Sequence, residues 1–133
     1  MDAEVGKRVK ELAESGDLEG ALRFLDEELE SRGKSGILLN DRAQVHRLSG
    51  DLAAARRDLD EAIGVEEEKL PLYNAYTQRA ALRREVGEPE AAISLDLKAA
   101  AFYGSKLARA VVEPINPYAA LCSMAVDAVM KAE

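Results

Sequence analysis

The chain reads as all-α: three helix–turn–helix repeats stacked as a right-handed superhelix and closed by C-terminal capping helices. Three observations predict this. Ser15-Gly16-Asp17-Leu18 returns 34 residues later as Ser49-Gly50-Asp51-Leu52, and Ala21/Ala55 and Leu25/Leu59 keep the same offset. A looser third copy runs Val86-Gly87-Glu88-Pro89, followed by Ala92. Between the glycines, apolar residues recur at helical spacing. The 133 residues suit a single domain, with repeats at about 2–34, 36–69 and 71–104 and a cap over 105–133.

The first helix is expected over Asp2 to Glu14, with Val5, Val9, Leu12 and Ala13 on one face. Gly16 ends it, and Asp17 is placed to cap the next helix, about Leu18 to Ser31. That helix buries Leu18, Ala21, Leu22, Leu25 and Leu29 and turns Asp26, Glu27, Glu28 and Glu30 outward. In repeat two, helix A runs from Gly36 to Ser49 through Leu39, Ala43 and His46, and helix B from Leu52 to about Ile63 through Ala55, Leu59 and Ala62. The acidic loop Gly64 to Lys69 absorbs three extra residues, since Gly50 and Gly87 are 37 apart.

Repeat three is expected as Leu72 to Val86 and Pro89 to Tyr103, with Pro89 in the first turn. Ala92, Leu95, Ala99 and Phe102 make one inner stripe for its second helix; Leu97 and Ala100 belong to the other register. A short helix, Ser105 to Val112, should follow Gly104. Pro114 then breaks the chain, and Asn116-Pro117 opens a last helix to about Lys131. Its wide apolar arc, with Tyr118, Leu121, Cys122, Ala125 and Val129, suits a cap over the end repeat.

The formal net charge is −7, and residues 1–30 hold ten acids against four bases. Such a surface repels phosphate backbones, so a nucleic-acid partner is not expected. No run approaches the ~18 apolar residues of a membrane span. The single Cys122 and the absence of an N-terminal basic-then-apolar segment point to a cytoplasmic protein. No phosphate loop, metal-ligand cluster or nucleophile–base pair is present, so no catalytic residue, metal site or cofactor is expected. His46 reads as a half-buried packing residue, Cys122 as a buried thiol, and Glu66-Glu67-Glu68 as a solvated loop.

The 34-residue period and its small-residue positions resemble the tetratricopeptide-repeat family. Gly104-Ser105, Ala108-Arg109 and Asn116-Pro117-Tyr118-Ala119-Ala120-Leu121-Cys122 are similar to the ending of the tetratricopeptide repeat protein 36 family. So are Asn40-Asp41-Arg42-Ala43-Gln44 and Arg47-Leu48-Ser49-Gly50-Asp51. The resemblance implies a small cytosolic adaptor, linked to heat-shock chaperones and, in animals, to tyrosine breakdown.

A repeat array of this kind holds a peptide or protein on its A helices. By repeat position the groove residues are Lys7 and Lys10 (with Gly6), then Asn40, Asp41, Gln44 and Arg47, then Asn74, Gln78 and Arg84 (with Thr77 and Ala81). Amides and arginines suit an extended peptide, whose N–H and C=O groups they satisfy. Chaperone-binding members grip a C-terminal carboxylate with a lysine–asparagine–arginine clamp. Here Asp41 stands for the second-repeat asparagine, Lys10 for the first, and Asn74 and Gln78 for the basic pair, so no working clamp is expected. The expected state is a monomer or weak homodimer. A structural or self-associating role through the C-terminal helix is the second reading, and an enzyme without recognisable motif the third.

Overall fold

A computed structural model describes residues 2–110, with side chains described for residues 4–106. The last predicted helix, its capping role and Cys122 lie outside the described residues. Among those described there are six helices: α1 Asp2–Glu14, α2 Leu18–Arg32, α3 Gly36–Leu48, α4 Leu52–Val65, α5 Lys69–Glu85 and α6 Glu90–Ala110. They divide between two compact units, Met1–Glu66 and Glu67–Glu133. The first holds two helix pairs and the second holds one.

The recurring glycine has one physical reason. Gly16, Gly50 and Gly87 all lie at positive φ, 87°, 88° and 80°. Each turn carries the same two hydrogen bonds: Gly16 N–H to Ala13 O and Asp17 N–H to Leu12 O, then Gly50 to Arg47 and Asp51 to His46, then Gly87 to Arg84 and Glu88 to Arg83. This is a Schellman ending, which closes the helix's last carbonyls and needs a left-handed residue. The aspartate that follows then starts the next helix. Asp17 accepts from Gly20 N–H at 2.9 Å and Asp51 from Ala54 N–H at 3.1 Å.

Within the first unit, α1 packs on α2, α2 on α3 and α3 on α4, and α1 also touches α3. Val5, Val9, Ala21, Leu25, Leu38 and Val45 form one buried cluster drawn from α1, α2 and α3. Ala21 and Ala55 are 0% and 1% exposed, as the helix crossings require. Ala55→Leu is expected to overpack this crossing and cost about 1–3 kcal/mol, read as a lower urea midpoint.

The second unit departs from the expected boundaries in two ways. Helix α5 begins at Lys69, three residues early, because Pro71 falls within the first turn, where no N–H is needed. Helix α6 runs unbroken through Gly104 to Ala110, so there is no separate helix from Ser105. Gly104 is an approach point: a Cβ there would meet the Tyr73 ring at 2.9 Å. The inner stripe of α6 is Ile93, Asp96, Leu97 and Ala100, whereas Leu95 and Phe102 are 67% and 57% exposed. The turn after Gly87 is one residue longer than the turn after Gly50. Ala55, Asp58, Leu59 and Ala62 therefore match Ile93, Asp96, Leu97 and Ala100 at an offset of 38, while the A helices match at 37.

Candidate functional site

Each A helix of the second and third pairs is held against its B helix by a buried acid. Arg42 donates from Nε and Nη2 to Asp58 at 3.0 and 2.8 Å, and from Nη1 to Asp26 of α2 at 2.9 Å. Arg79 donates to Asp96 in the same forked way, at 3.0 and 2.8 Å. Arg83 adds a bond to Asp96 at 2.8 Å, and His46 Nε2, its counterpart, lies 3.6 Å from Asp58. Asp58 and Asp96 are buried, and a planar guanidinium meeting a carboxylate side-on fixes angle as well as distance. The bond to Asp58, more than the opposing effect of burial, holds the Arg42 proton above its usual strength. These forks set the rotation of α3 on α4 and of α5 on α6.

The rotation leaves one face of α3 outward. Ile37 is 37% exposed and Leu48 is 61% exposed, and Gln44 is exposed between them. Asp41 shares that face and is half-buried. Among the described residues it has no hydrogen bond or ion pair, and burial lifts its carboxyl from 3.8 to about 6. Arg42 beside it in sequence is turned to Asp58 and Asp26.

The folded state therefore holds the Asp41 proton more tightly than the unfolded chain does. Stability from this group falls as pH rises from about 4 to about 6, and the whole cost is present above that window. Asp41→Asn is expected to melt above the parent at pH 7.5, with the difference closing toward pH 4. Melting curves of both proteins across that range check it.

Of the other residues expected to bind a partner, Lys7, Lys10, Asn74 and Arg84 are exposed. Lys10 lies 3.8 Å from Glu14, and Arg84 lies 4.0 Å from Glu90. Arg47 and Gln78 are half-buried. Asn40 is 4% exposed and engaged within the fold. The α5 residues Asn74, Gln78 and Arg84 belong to the second unit.

Sequence reasoning missed the two aspartate forks, because Asp58 and Asp96 stand in apolar stripes where no local pattern marks a buried acid. Their repetition one helix turn after a buried small or branched residue was the available signal. It missed Glu66 too: its Oε2 accepts from the Gly36 N–H at 2.9 Å, so part of the acidic loop is a cap for α3.

The chain is 39% identical over 131 residues to tetratricopeptide repeat protein 36 of Danio rerio, covering 92% of this chain and 70% of that protein. The chain belongs to the tetratricopeptide repeat protein 36 family. It is also 40% identical over 114 residues to the Drosophila melanogaster homolog, covering 84% of this chain and 60% of that one. With the Homo sapiens protein it shares 36% identity over 112 residues, 84% of this chain and 59% of that protein. No protein-family model matches the chain, and no solved structure does. As a family member it is a helical-repeat protein, the kind of architecture whose general use is to hold protein partners. Among the described residues, no helix is long and apolar enough to cross a membrane.

Proposed function

We propose that the chain is a cytoplasmic adaptor that binds a peptide or protein segment on its A helices. The observation that carries this reading is the α3 face. A helix locked on one side by the Arg42–Asp58 fork keeps Ile37 and Leu48 in solvent on another, at a cost that contact with a partner recovers. Lys7 and Lys10 on α1 are exposed polar groups of the same unit.

A chaperone partner would engage a surface other than a carboxylate clamp. Asp41 meets a peptide carboxylate with like charge, and Gln78 brings no positive charge. A peptide ending in Glu-Glu-Val-Asp is therefore expected not to bind in fluorescence anisotropy. Saturable micromolar binding that is lost on changing Lys10 would contradict this.

The reading itself is tested by affinity capture with quantitative mass spectrometry, using the parent and an Ile37→Ser/Gln44→Ala/Leu48→Ser variant. Proteins retained by the parent and depleted by the variant, with both melting alike, support binding on α3. The same retained set in both places the function elsewhere.

A further inference from the structure

We propose that the face of α3 formed by Ile37, Asp41, Gln44 and Leu48 selects a partner segment carrying a lysine or arginine beside an apolar residue, with Asp41 taking the cation. This rests on the partner-binding reading above and adds what the partner must carry. Steps of four, three and four residues put these positions along one side of a helix. Its two ends are apolar and solvent-exposed, at 37% and 61%. Its middle is a half-buried carboxylate with no hydrogen bond or ion pair among the described residues.

That condition sets Asp41 apart from the other two withdrawn aspartates. Asp58 and Asp96 are deeper, and each is met by a forked arginine. Arg42, its neighbour in sequence, is committed to Asp58 and Asp26. Desolvation alone perturbs Asp41. A carboxylate that has lost water without gaining a partner is completed by a cation and made worse by another acid. The occupant is thus a basic side chain, flanked by groups that cover Ile37 and Leu48.

Spacing narrows it further. At about 1.5 Å rise per residue, Asp41 lies about 6 Å along the axis from Ile37. An extended peptide, at about 3.3 Å per residue, covers this in about two residues. The matching segment is apolar, any residue, then lysine or arginine, with a second apolar side chain about 10 Å further on for Leu48.

The test pans a display library of random short peptides against the immobilised full chain and, in parallel, against Asp41→Asn and Ile37→Ser/Leu48→Ser. Peptides with lysine or arginine two positions from an apolar residue should be enriched on the parent, and a selected peptide should bind Asp41→Asn about tenfold more weakly or worse. Enrichment without a basic residue, or undiminished binding to Asp41→Asn, overturns the selectivity and leaves α3 as a binding face. Undiminished binding to Ile37→Ser/Leu48→Ser, or no enrichment on any of the three, overturns the binding face as well.

Discussion

Asp96→Ala is expected to lower the unfolding free energy by about 3–5 kcal/mol, the usual penalty for stripping one partner from a buried ion pair. Asp96 is 3% exposed and receives both Arg79 and Arg83, at 2.8 Å each at the shortest. Its loss leaves two guanidinium groups that cannot give up their protons. Arg83 keeps Glu88 at 2.6 Å. Asp96→Asn retains an acceptor and should lose less. Asp58→Ala should lose less than Asp96→Ala, because Arg42 keeps Asp26. Urea unfolding of the three variants orders them, and equal midpoints for Asp96→Ala and the parent would contradict the fork.

Leu25→Ala should cost a comparable amount, about 2–5 kcal/mol, by a different route. Leu25 is 0% exposed within the cluster that α1, α2 and α3 share. Removing its branched end loses transfer energy and leaves a cavity among Val5, Val9 and Val45, whose helices are pinned by capped turns and cannot close on it. Leu25→Met, which nearly conserves volume, should cost less than about 1.5 kcal/mol. A urea midpoint for Leu25→Ala close to that of Leu25→Met would mean the site collapses and the cluster is looser than its burial indicates.

The first four helices were legible in the sequence because local chemistry and apolar period agree there. The glycine that ends a helix, the aspartate that starts the next and the small residue at the crossing fall at one repeating offset. The third pair was harder to read for one reason: an extra residue after Gly87 breaks the offset between the two helices of the pair. Aligning on Gly87 sends Leu95 and Phe102 inward, whereas the packing follows Asp96 and Ala100. Gly104 misled in the same region, because a glycine that admits the Tyr73 ring has the same appearance in sequence as one that ends a helix.

The candidate site was legible by helix but not by face. Asp41 and Gln44 were named together on α3, since repeat position alone orients an A helix. Ile37 and Leu48 were not chosen, because an apolar residue in an amphipathic pattern is taken for core. Their exposure follows from the Arg42–Asp58 fork, a contact between α3 and α4 that no local pattern announces.

The most direct measurement is a ¹H–¹⁵N NMR titration of the full chain with a peptide selected on it. Binding on α3 predicts that the amide shifts that move most belong to residues 36–48, centred on Ile37, Asp41, Gln44 and Leu48, and that Asp41→Asn weakens the titration. Shifts concentrated on the outer acidic side of α2, at Asp26, Glu27 and Glu30, with residues 36–48 unmoved, would contradict it.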